Sequence, residues 1–277
     1  MPDAPPPARA VRAARRLLRG KGRAEAGQFL AEGPQAVREA LAPPVRARAL
    51  FVSAEGRRRH ADLVEAARAT AVAVHTVDDP LMAELAGTVT PQGVLAVCDD
   101  VDVALAEVLG GGPRLLALMA HVRDPGNAGT VIRCADAAGA DGVLISTASV
   151  DVYNPKAVRA SAGSLFHLPV VLDVAVPDVV TALRAAGLRV LAADGSGARD
   201  LDEEADAGGL DVPTAWVFGN EAWGLDEEVA AACDAVVRVP VYGLAESLNL
   251  ASAAAICLYA SARAQRRESR RRFPAPG

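Results

Sequence analysis

The sequence predicts an α/β protein of two domains, the second built on a parallel sheet. Three observations carry this. Short apolar runs rich in Val, Leu and Ala alternate with helical patterns along most of the chain, the order expected of α/β architecture. A Gly-rich break, Gly110-Gly111-Gly112-Pro113, divides the alternation into two parts. After the break, Leu115–Ala120 is apolar at every position, as in a strand covered on both faces of a parallel sheet. The length of 277 residues agrees with two domains at about 100–200 residues each. The expected boundaries are 1–108 and 112–277.

In the first part, an Arg-rich helix over 8–19 leads to a strand at Gln28–Glu32, a helix from Pro34 to Leu41 and a strand at Ala47–Val52. A helix at 60–69, the β-rich Ala71–Val77, a helix at 79–86 and the strand Gly93–Asp99 complete it. In the second part, Gly126–Gly139 reads as a loop and helix, Gly142–Ser146 as a strand, Pro155–Ala162 as a helix and Leu168–Leu172 as a strand. A helix at 177–186 precedes the strand Leu188–Asp194, an acidic loop and the strand Ala215–Gly219. A helix at 225–232, the strand Ala235–Val241 and a long helix from about Glu246 into a basic tail close the chain. Parallel sheets bind ligands at the carboxyl ends of their strands. The Gly-rich and polar segments fall at those ends.

Composition narrows the function classes. At 51% hydrophobic and 23% charged residues, the chain can bury a full core. No apolar run of about 18 residues predicts a membrane span, and the N-terminus lacks the apolar stretch of a secretory signal. Cys98, Cys134, Cys233 and Cys257 are far apart and lie in apolar stretches, so reduced, buried thiols in a cytoplasmic protein are expected. His60, His75, His121 and His167 show no metal-ligand spacing, and no metal is assigned. The net charge of −5 conceals an asymmetry: residues 1–60 hold 13 basic residues against five acidic ones, and the tail from Arg263 to Arg272 is again basic. Basic ends are compatible with phosphate binding, because the local field matters more than the sum. The charge pattern alone favours solvated helix faces.

Three segments carry chemistry. In His121-Val-Arg-Asp-Pro-Gly-Asn127-Ala-Gly-Thr-Val-Ile-Arg133, a tight turn leaves a buried strand and enters a helix. Asn127 is placed to cap that helix. Arg133 stands among apolar neighbours, which makes a surface salt bridge a less comfortable role. In Phe218-Gly219-Asn-Glu221-Ala-Trp-Gly-Leu225, a single carboxylate stands between two glycines, as in a turn complementing the next helix dipole or in a pocket floor. In Val239-Pro240-Val-Tyr-Gly-Leu244-Ala-Glu-Ser247-Leu248-Asn249, a flexible loop runs to a helix start. Capping explains either Ser247 or Asn249 but not both. No G-x-G-x-x-G or G-x-x-x-x-G-K-[ST] is present, which disfavours a Rossmann dinucleotide site and a P-loop.

In this order and spacing, N-x-G-x-x-x-R, then F-G-x-E-x-x-G-L, then V-P…S-L-N, the trio resembles the SpoU/TrmH branch of the SPOUT RNA methyltransferases, over roughly residues 112–265. Residues Tyr153–Pro169 resemble the family's linking segment. Phe29-Leu-Ala-Glu32-Gly33 and the helix after it are similar to its RNA-binding substrate domain. Two small departures stand out: His121-Val-Arg-Asp-Pro-Gly where D-x-x-x-D-P is commoner, and Val239 in place of Ile.

The resemblance implies a C-terminal α/β-knot domain with a deep trefoil knot and a smaller N-terminal α/β RNA-binding domain. It implies transfer of a methyl group from S-adenosylmethionine to a ribose 2′-hydroxyl of RNA by a cytoplasmic homodimer. Gly219, Val239 and Leu248 would give backbone contacts to S-adenosylmethionine, with Pro240, Leu244 and Asn249 in the same pocket. Arg133 would act at the reacting hydroxyl, with Asn127, Glu221, Ser247 and Asn249 arranging the pocket. Arg159, Arg23 and Arg133 are the expected RNA contacts. Ribosomal RNA of the large subunit is favoured over transfer RNA, since a separate substrate domain is typical of rRNA-directed members. A non-catalytic RNA-binding member and a small-molecule α/β enzyme are the competing readings.

Overall fold

The computed structural model describes residues 5–88, 90–220 and 222–272, with side chains to Glu268. The N-terminal helix expected over 8–19 is two helices, α1 (Ala8–Arg16) and α2 (Gly20–Ala26). Gly20 and Gly22 hid the second, because glycine disfavours a helix interior. β1 (Gln28–Glu32), α3 (Pro34–Leu41), β2 (Ala47–Ser53), α4 (Ala54–Arg59), α5 (Ala61–Ala69), β3 (Ala73–Val77), α6 (Asp79–Ala86) and β4 (Val94–Asp99) follow. Then come α7 (Leu105–Gly110), β5 (Leu115–Met119), α8 (Pro125–Ala138), β6 (Gly142–Ser146), α9 (Pro155–Ser161) and β7 (Val170–Val174). The chain continues through α10 (Val176–Ala185), β8 (Arg189–Ala193), β9 (Arg199–Asp200), α11 (Leu201–Asp206), β10 (Thr214–Phe218), α12 (Glu227–Ala232), β11 (Ala235–Arg238) and α13 (Leu250–Arg272). None of the described helices is long and apolar enough to cross a membrane.

Two compact units result: 1–101 with 151–167, and 102–150 with 168–277. The first unit is a four-stranded sheet in the order β1-β4-β2-β3, antiparallel except for the parallel β2–β3 pair. Ala14 of α1 and Leu17, which caps it, pack into a core with Leu30, Phe51, Met82 and Leu95. The stretch 151–167, similar in sequence to a linking segment of the catalytic part, packs in this unit. Phe29 stacks on Tyr153 with ring centroids 4.7 Å apart, and the Tyr153 hydroxyl accepts from the Val101 N–H.

The second unit is a seven-stranded sheet in the order β7-β6-β5-β10-β8-β11-β9, parallel at every pairing. The uniformly apolar strands are explained by cover on both faces. On one face Leu116, Leu118, Ala215 and Val217 pack with Val179, Val180 and Leu183 of α10. On the other lies Trp216, wholly buried, whose Nε1–H donates to Ser261 Oγ of α13 at 2.9 Å. The last helix starts at Leu250, four residues later than expected, because Asn249 caps it.

Candidate active site

Four strand ends build the site. β5 runs into His121–Asp124, β8 into Asp194–Gly197, β10 into Gly219–Leu225 and β11 into Val239–Asn249. β6 and β7 extend outward from β5, whereas β8, β11 and β9 extend outward from β10. The adjacent pair β5–β10 is therefore the switch point of the sheet, where ligands of open parallel sheets bind.

The first segment is pinned before it enters α8. His121 stands at φ +58°, a left-handed conformation that histidine tolerates better than most residues. Its N–H donates to Ser146 Oγ at 2.9 Å, its carbonyl accepts from Asn220 Nδ2 at 2.8 Å, and its Nδ1 lies 3.3 Å from Asp226 Oδ2. One residue thus ties together β5, the end of β6, the β10 loop and the start of α12. The cap of α8 is Asp124, whose Oδ1 accepts from the Asn127 N–H at 2.8 Å. This corrects the capping role expected of Asn127, which lies inside the first turn. Its side chain is left for another purpose: Asn127 Oδ1 accepts from Asn249 Nδ2 at 3.0 Å. Arg133, six residues along the same helix, is exposed and makes no hydrogen bond or ion pair among the described residues. The surface salt bridge considered for it is not formed with any described residue.

The second segment is a closed loop. The Asn220 N–H donates to the Gly224 carbonyl at 2.7 Å, and the Gly224 N–H returns to the Asn220 carbonyl at 2.9 Å. A Cβ on Gly219 would stand 2.4 Å from the Gly224 carbonyl oxygen, so closure requires glycine there. Gly224 has φ +72°, and a Cβ on it would stand 2.6 Å from Asp194 Oδ2. Glu221 lies outside the described residues.

Asp194 was missed by the sequence reading, which placed it at the edge of an acidic loop. Its position at the carboxyl end of a buried strand was the available signal. Its N–H donates to the Val237 carbonyl at 3.1 Å, its Oδ1 accepts from the Ser196 N–H and Oγ at 2.9 and 2.6 Å, and its Oδ2 accepts from the Leu225 N–H at 3.4 Å. Burial pushes this carboxyl up, but the hydrogen bonds from Ser196 and Leu225 outweigh it and hold Asp194 below the ordinary carboxylate value.

The third segment is open. Val239 and Pro240 are partly buried, and 241–249 are exposed, Leu244 fully so. From Pro240 to Leu248 no backbone hydrogen bond is made to another described residue. Tyr242 tethers the middle by donating its hydroxyl proton to Asp202 Oδ2 at 2.8 Å. Asn249 fixes the end: its Oδ1 accepts from the Ala251 and Ser252 N–H groups at 2.9 and 3.3 Å, capping α13, while its Nδ2 reaches Asn127. Capping therefore explains Asn249, and Ser247 remains an exposed loop residue.

The structure brings Asn127 and Asn249 together, with Arg133 on the same helix as Asn127. Gly219, Val239, Pro240, Leu244 and Leu248 lie on the loops at the same strand ends. Two expected RNA contacts are engaged elsewhere, within the first unit. Arg23 is buried, and its Nε and Nη2 both donate to Asp151 Oδ2, at 2.9 and 2.6 Å. Its Nη1 donates to the Leu17 carbonyl at 2.8 Å, so all three of its nitrogens are engaged in packing within this unit. Arg159 Nη1 pairs with the buried Glu32 at 2.8 Å. Burial raises the Glu32 carboxyl above its ordinary value, and Arg159 offsets this only in part.

Comparison with known proteins adds an independent line. Residues 114–259 match the model of the SpoU rRNA methylase family, and residues 8–96 match that of an MRM3-like substrate binding domain. The chain is 34% identical over 245 residues to the 23S rRNA (guanosine(2553)-2′-O)-methyltransferase of Bacillus subtilis, covering 88% of this chain and 92% of that one. It resembles the crystal structure of the SpoU methyltransferase AviRb from Streptomyces viridochromogenes in complex with the cofactor AdoMet. That match has a TM-score of 0.80 and 32% identity, and covers 95% of this chain and 100% of the other. The AdoMet-bound rRNA methyltransferase of Sinorhizobium meliloti gives a TM-score of 0.79 at 28% identity, over 99% of both chains. With more than half its length matched by the family model and a relative covered almost end to end, this chain belongs to the SpoU rRNA methylase family.

Proposed function

We propose that this protein methylates a ribose 2′-hydroxyl of ribosomal RNA, taking the methyl group from S-adenosylmethionine. The observation that carries the reading is the Asn127–Asn249 hydrogen bond, which joins the first and third segments at the switch point, with the unpaired Arg133 on the same helix. The Bacillus subtilis relative is named for methylation of 23S rRNA, which favours ribosomal over transfer RNA.

The donor set fits the methyl donor. The segment from Pro240 to Leu248 offers backbone N–H and C=O groups with no partner of their own among the described residues, suited to an adenosine. Exposed Val241, Leu244 and Leu248 offer apolar surface beside them. Gly219, Val239, Pro240, Leu244, Leu248 and Asn249 would hold the donor, whose sulfonium supplies an electrophilic methyl group. The chain's own task is to orient the hydroxyl, since positioning alone can lower a barrier by about 7–11 kcal/mol. Asn127 and Asn249 fix each other, and Ser247 and Glu221 complete the set this reading places around the hydroxyl. Arg133 stays protonated and cannot act as a literal base. The new O–C bond would form as the methyl group's bond to sulfur breaks, leaving a neutral thioether, with the hydroxyl proton passing to solvent water. The Arg133 guanidinium would stabilise the negative charge that develops on the oxygen, or clamp the adjacent phosphate.

The trefoil knot and the homodimer belong to the same reading. β11 lies beyond β8, yet the helix after it packs on β10, β5 and α8, so residues 239–249 cross back over the carboxyl ends. Half-exposed Ile256 and Tyr259 on α13 offer apolar surface to a second copy. The four free thiols fit a cytoplasmic setting.

The test is Arg133→Ala and Arg133→Lys, assayed for methyl transfer to ribosomal RNA and, by calorimetry, for S-adenosylmethionine binding. Transfer should fall about 10²–10³-fold in the alanine variant, with lysine rescuing little because it lacks the planar fork. Donor affinity should stay within about twofold in both, since Arg133 acts on the acceptor and not on the donor. Near-normal transfer by Arg133→Ala overturns the assignment.

A further inference from the structure

The corner between α1 and α2 encloses a concavity of about 480 Å³. Its walls carry Arg15, Arg16, Arg19 and Lys21 against two carboxylates, Glu25 and Glu84. Arg15 pairs with Glu84 at 2.6 Å and Arg16 with Glu25 at 2.7 Å, leaving two cations in excess. Lys21 stands 3.9 Å from the same Glu25, and Arg19 has no hydrogen bond or ion pair among the described residues. Arg9 and Arg12 are likewise exposed and unpaired among the described residues, and with Arg16 they recur along α1 at three- and four-residue spacing. The basic stripe on α1 thus runs into the concavity.

The backbone beneath these cations is fixed. A Cβ on Gly22 would stand 2.0 Å from the Arg16 carbonyl oxygen, so only glycine lets α2 abut the end of α1 so closely. The buried Arg23 holds the Leu17 carbonyl at the turn and is itself held by Asp151. The charged side chains are thus rooted in a closely packed corner.

We infer that this corner, continued by Arg12 and Arg9, is a phosphodiester-binding site that grips the RNA backbone without reading its sequence. The inference rests on the proposed RNA substrate and says where the first unit holds it. Two observations favour an RNA backbone over a lipid surface or a base-reading groove. All large hydrophobic side chains exposed among the described residues belong to the second unit, so the corner offers no apolar wedge for a bilayer. It offers no aromatic platform for an unstacked base either. What remains is positive charge on a concave, rigid frame, which neutralises phosphates and releases their counterions.

The experiment uses the full chain and a fluorescently labelled RNA hairpin of arbitrary sequence, with affinity measured by anisotropy over a series of potassium chloride concentrations. The triple variant R12A/R19A/K21A removes two cations without an acidic partner among the described residues and a third, Lys21, whose nearest carboxylate at 3.9 Å is already paired with Arg16 at 2.7 Å. It should bind roughly 10–100-fold more weakly at low salt and lower the slope of log affinity against log salt by about 2, as expected for some three lost phosphate contacts. The matched variant R38A/R48A/R59A removes three arginines already paired with Asp62, Asp99 and Glu55. It should keep the wild-type slope. S-adenosylmethionine affinity should be equal in all three proteins. An unchanged slope in R12A/R19A/K21A, or an equal fall in the matched variant, overturns the proposal. So does capture of phosphatidylserine vesicles by the wild type that is lost in R12A/R19A/K21A, which would make the corner a membrane patch. If the wild type methylates no RNA while R12A/R19A/K21A loses hairpin binding, the corner stands and the proposed reaction fails. If the wild type methylates ribosomal RNA and that variant does so with the same KM, the corner alone fails.

Discussion

Gly219 and Gly224 frame the same loop for different physical reasons. At Gly219 the obstacle is the backbone of its own loop partner, the Gly224 carbonyl. At Gly224 the obstacles are a left-handed φ and the carboxylate of Asp194 from the neighbouring strand. Gly187 separates the two costs of the second case: its φ is +84°, but nothing lies within 4 Å of the position a Cβ would take. Gly187→Ala and Gly224→Ala should each lose about 1–2 kcal/mol of stability from the backbone alone. Only Gly224→Ala should also weaken S-adenosylmethionine binding, severalfold, because it displaces Asp194 and the loop above it. Equal donor affinity in the two variants, measured by calorimetry beside thermal melts, would remove Asp194 from the account. The residue scale also shows what a short motif conceals. Asn127 reads as a helix cap because asparagine at a helix start usually is one, yet Asp124, three residues earlier, takes that role. The sequence offers both, and the structure shows Asp124 accepting from the Asn127 N–H.

At the scale of elements, most of the alternation was legible because buried parallel strands are written as unbroken apolar runs and their helices as period-3.6 patterns. The exceptions have local causes. α2 carries two glycines in seven residues and was absorbed into its neighbour. α4, a six-residue helix capped by Ser53, is too short for a periodic signal. The long helix α13 starts late because the polar stretch before it belongs to the open loop and not to the helix. The membership of 151–167 in the first unit was not legible at all, since it depends on long-range contacts such as Arg23–Asp151. That ion pair carries a prediction. Arg23→Ala should cost roughly 2–3 kcal/mol, less than the 3–5 typical of a broken buried pair, because the Asp151 side chain keeps 39% exposure and remains solvated. Hydrogen exchange should quicken first in α1 and α2, whose junction Arg23 closes. Protection of those amides equal to wild type would show that the junction is held by other means.

Across the whole molecule, charge and chemistry are divided. The net charge of −5 says nothing of a polyanionic partner, because the cations gather in residues 1–60 and in the tail, and the acids elsewhere. The candidate site was legible as three segments whose order carried more than their composition. The sequence could not reveal that Arg23 is engaged in packing or that Asp194 ties its own turn to the β10 loop and to β11, since both facts live in contacts between distant residues. The proposed reaction makes one chemical commitment that none of the neighbouring possibilities shares, namely the atom that receives the methyl group. Ribosomal RNA incubated with the wild-type protein and isotopically labelled S-adenosylmethionine can be cleaved by alkali and its products resolved by mass spectrometry. Label is expected in an alkali-resistant dinucleotide, because a 2′-O-methyl group removes the nucleophile that cleaves the chain, and Arg133→Ala should yield about 10²–10³-fold less of it. Label on a base, in mononucleotides that alkali has released, would contradict the proposed reaction.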